Sequence, residues 1–159
     1  MNKKRLITLI LTLIFTLGMC TSSIYAASPE NQHLVSKEIT YFSDGTRLET
    51  VIYQSDISTF ASNTTTGTKT ATYYSGDQAL WYVTLRATFT YSGHSSLCNS
   101  SSVDAGSYVS NWKIIDKYTS YSGNQATGEA RGRFYMGITP IHESTLGVIL
   151  TCDIDGNLK

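Results

Sequence analysis

The stretch ALWYVTLRATFTY, residues 79–91, decides the fold. Its odd positions, Ala79, Trp81, Val83, Leu85, Ala87, Phe89 and Tyr91, are apolar without a break. The even positions, Leu80, Tyr82, Thr84, Arg86, Thr88 and Thr90, are mostly hydroxyl-bearing or charged. A period of two gives an extended chain one apolar face; a helix would repeat about every 3.6 residues. The stretch is expected to be the central core strand.

Working outward, TLGVILTC (145–152) sets Leu146, Val148, Leu150 and Cys152 on one side, which turns Cys152 towards the core. NWKIIDKYTSY (111–121) points Trp112, Ile114 and Tyr118 one way and Lys113 and Lys117 the other. QATGEARGRFYM (125–136) carries Ala126, Gly128, Ala130 and Gly132 on its even face, with Glu129, Arg131 and Arg133 on the odd one. Interiors pack without voids, so the small row calls for a bulky side chain above it, Trp81 or Trp112. The charged face suits an exposed or edge strand. Tyr-Ser-Gly recurs at 74–76, 91–93 and 121–123, each time where an extended run enters a turn. Six to eight short strands without a helical pattern predict an all-β fold over residues 68–159. The expected form is an antiparallel β-sandwich, immunoglobulin-like in general architecture.

Upstream, KEITYFSDGTRLETVIYQ (37–54) reads as a hairpin around Asp44-Gly45, because both turn positions tolerate positive φ. Residues 27–54 are therefore taken as a polar lead and hairpin, and SDISTFASNTTTG (55–67), dense in Ser, Thr and Asn, as a linker. The hairpin would then be an appendage.

The chain opens MNKKR, followed by the apolar LITLILTLIFTLG (6–18), shorter than the roughly 20 residues a membrane-spanning helix needs. Residues 1–26 have the layout of a secretory signal peptide, with Ile24 and Ala26 before the cut. The alternative, lipid attachment at Cys20, is disfavoured by the bulky Met19 before it. Removing Lys3, Lys4 and Arg5 with the signal leaves nine basic and twelve acidic residues, a net charge of −3. That balance argues against nucleic-acid binding, which depends on phosphate neutralisation. It also argues against a cationic membrane-surface peptide. After signal removal no membrane span is expected. Two cysteines remain, Cys98 and Cys152, and an even pair in an exported chain predicts one disulfide.

Three motif fragments fall short of their chemistry. GHSSL (93–97) lacks the second glycine of a hydrolase nucleophile elbow and reads as a polar turn. IHESTL (141–146) has Leu146 where a zinc-binding helix needs its second His, and reads as a surface loop. DIDGN (153–157) begins like a calcium loop, but Gly156 is fourth rather than sixth. A terminal turn is expected there, with hard-cation binding near Asp153 and Asp155 left open. The acids Asp77, Asp104, Asp116, Glu129 and Glu143 are scattered. No catalytic residue, metal ligand or cofactor site is assigned.

TYFSDGTRLETVI, the Ser/Thr stretch, TKTATYYSGDQALWYVTLRATFTYSG, Cys98, Trp112, SGNQATGEA and LTCDIDGNL together resemble a group of small exported proteins of Gram-positive, often gut-dwelling, bacteria. The resemblance spans about residues 37–158 and implies a fold and an address, with no activity attached. The function expected is therefore non-catalytic binding at the cell envelope or in the extracellular space. The partner would be a glycan, or an envelope or host protein, contacted through surface tyrosines such as Tyr73, Tyr82, Tyr118 and Tyr135. The alternative is a small secreted, glycan-directed hydrolase, or an inhibitor of an extracellular enzyme, in which carboxylates converge only through the fold.

Overall fold

The structure, a computed structural model, describes residues 32–59 and 62–159. The expected signal peptide, its cleavage site and Cys20 lie outside the described residues. Eight strands follow one another: β1 His33–Tyr41, β2 Thr46–Thr59, β3 Ser62–Ser75, β4 Gln78–Tyr91, β5 Ser96–Ser107, β6 Trp112–Ser122, β7 Gln125–Met136 and β8 Thr139–Thr151. They form two antiparallel sheets in sequence order, β1-β2-β3-β4-β5 and β6-β7-β8. The described residues are all-β and layered as a sandwich, as the alternation predicts. Its topology is a meander, without the crossing connections that define the immunoglobulin type. No helix among the described residues is long and apolar enough to cross a membrane.

The central strand is β4, where Trp81, Val83, Leu85 and Phe89 are fully buried. Each such side chain contributes about 1.5–3 kcal/mol by leaving water. Opposite them, β7 presents its row of Ala and Gly, and the reason for the small residues is direct. A Cβ on Gly132 would lie 2.9 Å from Cε2 of the Trp81 indole, and one on Gly128 would lie 3.1 Å from Cβ of Leu85. Trp81 is therefore the ring over the small row, with Trp112 stacked beside it. β7 is the middle strand of its sheet rather than an edge, and its charged face points outward.

The Ser/Thr stretch 55–67 is no linker. Its residues 55–59 end β2 and its residues 62–67 begin β3, paired from Ser55↔Thr66 to Thr59↔Ser62. The hairpin before it is consequently the flank of the five-stranded sheet and no appendage. The physical reason is a second alternation that composition concealed. Thr64, Thr66, Thr68, Thr70 and Thr72 share the outer face of β3, opposite Thr90, Thr88, Arg86, Thr84 and Tyr82 of β4. β-Branched residues fit such a surface, and hydroxyl pairs tie it across the strands: Thr66–Thr88 at 3.1 Å and Thr70–Thr84 at 2.9 Å. The inner face of the same segment uses Gly67, where any Cβ would collide with Leu158 and Leu150.

The expected disulfide is absent. Cys98 and Cys152 are both buried free thiols. Each points to its own backbone neighbour: the Cys98 thiol donates to the Ser100 carbonyl at 3.4 Å, and the Cys152 thiol donates to that of Asp153 at 3.4 Å. Burial pushes both thiols above their ordinary range, so neither is a ready nucleophile. They behave as small core residues.

Residues 152–159 close one end of the sandwich. Cys152 bridges to Leu158, and Thr151 and Lys159 exchange two backbone hydrogen bonds of 3.0 and 2.9 Å. Leu158 is thereby buried in the core.

Candidate functional site

The opposite end stays open. Here the chain leaves β5, crosses to the second sheet through residues 108–111 and enters β6 at Trp112. Several bonds pin this crossing. Tyr108 N donates to Leu80 O at 2.9 Å, Ser107 Oγ donates to Val109 O at 2.6 Å, and Tyr135 N donates to Asn111 O at 2.8 Å. Below it, Trp112 stacks on Trp81 with ring centres 5.8 Å apart and planes 23° from parallel. Tyr73 at 6.1 Å, Phe134 at 5.8 Å and His142 at 6.2 Å complete the cluster around the Trp112 ring. Such contacts between rings hold an aromatic floor in one orientation.

Above this cluster lies a cleft of about 570 Å³. Leu80, Val109, Trp112 and Phe134 form its floor, all packed against the core. The rim is polar and exposed: Ser75, Gln78, Ser110 and Asn111. Among the described residues, no Asp, Glu, His, Cys, Lys or Arg lines it. The lining can therefore supply apolar contact, hydroxyls and amides, but no charge, no metal ligand and no proton that titrates near neutrality. Among the described residues, no hydrogen bond occupies the side-chain amides of Gln78 or Asn111. Each amide keeps two donors and an acceptor for something else.

The residues singled out in the sequence do not converge. Of the tyrosines expected on solvent faces, Tyr73 is half-buried in the Trp112 cluster. Tyr82 packs on Tyr108 at 5.3 Å on the outer face of the larger sheet, and burial raises its hydroxyl pKa. Tyr135 lies under the Lys113 ammonium at 5.3 Å, and Tyr118 is exposed. Four of the five scattered acids, Asp77, Asp104, Asp116 and Glu143, meet cations rather than each other. Asp104 meets Lys117 at 3.0 Å, and this hydrogen bond holds its carboxyl below the usual range. Asp116 meets Arg131 at 3.7 Å, Glu143 meets Arg133 at 2.5 Å, and Asp77 meets Arg47 at 3.2 Å.

The motif fragments resolve into structure. Residues 92–95 are the turn between β4 and β5, and His94 contacts only the Ser92 carbonyl, at 3.4 Å. The stretch 141–146, expected as a loop, lies inside β8, where His142–Leu146 pair with Ala130–Phe134 of β7. Asp153 spends its carboxylate on its own turn, accepting from Asp155 N at 3.0 Å and from Asn157 N at 2.9 Å. Those bonds, the Asn157 side chain first, lower its pKa. No group of three or more His, Cys, Asp or Glu among the described residues is placed to hold a metal.

Sequence reasoning missed the cleft because its floor comes from β4, β6, β7 and the crossing, which only folding brings together. One signal was available: Leu80 is a large apolar residue on the otherwise polar face of 79–91. Compared with known proteins, the chain matches no family model, no curated protein and no solved structure.

Proposed function

We propose that the chain is a secreted, non-catalytic binding protein that takes a neutral, polar ligand with apolar faces, a glycan, in the open-end cleft. One observation carries this reading: the cleft combines an aromatic and aliphatic floor with a rim of unengaged amides and hydroxyls, and among the described residues no titratable side chain lines it. A sugar ring matches both halves, since its C–H face packs on apolar side chains while its hydroxyls exchange hydrogen bonds at the rim. Glycoside hydrolysis needs two carboxyl groups flanking the bond, and the cleft has neither. The export signal read in residues 1–26 and the net charge of −3 after its removal are consistent with work outside the cell or at its envelope.

The test is titration of the mature chain with neutral cell-wall and host oligosaccharides by calorimetry. Binding is expected to change little between about pH 5 and pH 8, where only histidine among unperturbed side chains titrates, and to be insensitive to salt. Gln78→Ala and Asn111→Ala are each expected to weaken it roughly 3- to 10-fold, the scale of one neutral hydrogen bond. A panel that yields only anionic ligands, or binding untouched by both variants, contradicts the proposal.

A further inference from the structure

A second cavity lies away from the cleft, between the inner face of β1–β3 and the C-terminal residues. It measures about 190 Å³ and is lined by Ser36, Glu38, Thr50, Ile52 and Lys69 of the strands and by Leu158 and Lys159. Lys69 is part of that lining. In register, Lys69 sits between Ile52 of β2 and Leu85 of β4, both buried, so it occupies the face that elsewhere builds the core. An apolar residue would satisfy that position. Instead a half-buried ammonium projects there, and no hydrogen bond or ion pair within 4.0 Å engages it among the described residues. Burial lowers its pKa, and the field of Glu38 works against that effect without reaching contact distance. A partly desolvated, unpaired charge is costly, and an anion entering the pocket would offset the cost.

We propose that this pocket is a second binding site, separate from the cleft, for a small monocarboxylate with a short apolar body. The carboxylate meets the Lys69 ammonium, assisted by the Ser36 and Thr50 hydroxyls, and the carbon body lies against Ile52 and Leu158. Two features set the class. Glu38 shares the lining with Lys69, so a ligand carrying one negative charge meets less repulsion there than one carrying two. The volume is that of about six water molecules in the liquid, which limits the ligand to a short chain.

The experiment uses the mature chain and three probes: butyrate, inorganic phosphate and n-butanol, each followed by two-dimensional amide NMR. Butyrate is expected to move the resonances of Thr50, Ile52, Lys69 and Leu158 in a saturable way. Lys69→Met keeps the stem and removes the charge; it should weaken butyrate about 10- to 100-fold, as losing a charge-assisted hydrogen bond does. Thermal melting of Lys69→Met at or above the parent value shows that the fold is intact. Lys69→Arg keeps the charge and is the second variant, expected to retain binding. Butyrate shifts that persist in Lys69→Met, that scatter over surface lysines, or that n-butanol reproduces overturn the site. Phosphate binding as tightly as butyrate overturns the monocarboxylate assignment. Binding here is independent of any glycan result at the cleft, because the two linings share no residue.

Discussion

The two ends of the sandwich are built from the same eight strands and finished in opposite ways. At one end residues 152–159 fold back and consume their own polar groups: Gln54 Nε2 donates to Gly156 O at 3.1 Å, Gly93 N donates to Ile154 O at 2.8 Å, and Asp153 binds its own turn. At the other end the crossing from β5 to β6 is pinned through main-chain groups and the Ser107 hydroxyl, which leaves the side chains of Gln78 and Asn111 unspent above an apolar floor. The difference shows what makes a surface available to a ligand. Backbone satisfaction holds a loop rigid in both places, but only where side-chain donors remain unused can a partner gain by arriving.

Changes to the packing below the open end are the strongest way to break the contrast. Trp81 is fully buried and stacks on the Trp112 ring that floors the cleft. Trp81→Ala should therefore cost about 3–5 kcal/mol, read from urea midpoints, and should abolish glycan binding along with the floor. At the sealed end Leu158→Ala should cost about 2–5 kcal/mol and leave the cleft's binding intact. Equal damage to glycan binding by the two changes would mean that the ends are not independent.

Backbone approach gives a smaller but sharper comparison on the smaller sheet. Gly132→Ala drives a methyl into the Trp81 ring, and overpacking of this kind costs about 1–3 kcal/mol. Gly147, on β8, has nothing within 4 Å of the position a Cβ would take. Gly147→Ala should instead stabilise by about 0.4–1 kcal/mol, through the unfolded chain. Opposite signs in paired thermal melts are the expected outcome.

The smallest effect is the alkaline limb of stability. Burial raises the pKa of Cys98, Cys152 and Tyr82. A raised value means the folded chain retains protons that the unfolded chain gives up. The stabilisation is therefore complete below the ordinary thiol value, about 8.5, and is lost as pH rises through the folded values. The tyrosine follows at higher pH. In reducing buffer, Cys98→Ala and Cys152→Ala should flatten the decline of urea midpoints between about pH 8 and pH 10. A decline of unchanged steepness would assign it to other groups.

Much of the fold was legible because alternation survives in the letters. Residues 79–91 and 125–136 fell within one residue of β4 and β7, and the small row on β7 announced a ring above it. Residues 55–67 read as a linker because Ser, Thr and Asn are the letters of loops, while Thr64 and Thr66 share the face of Thr68, Thr70 and Thr72 on β3. Cysteine counting gave two core thiols but not their bonding, since an even number carries no geometry. The cleft was illegible for the same reason as any site assembled across strands: Leu80, Val109 and Phe134 are ordinary apolar residues until β6 and β7 cover β4.

The most direct test is an amide NMR titration of the mature chain with a neutral oligosaccharide that binds it. The account predicts saturable shifts confined to Gln78, Ser110, Asn111 and their neighbours, with residues 152–159 unmoved. Shifts centred on residues 152–159 or on the threonine face of β3 would contradict it.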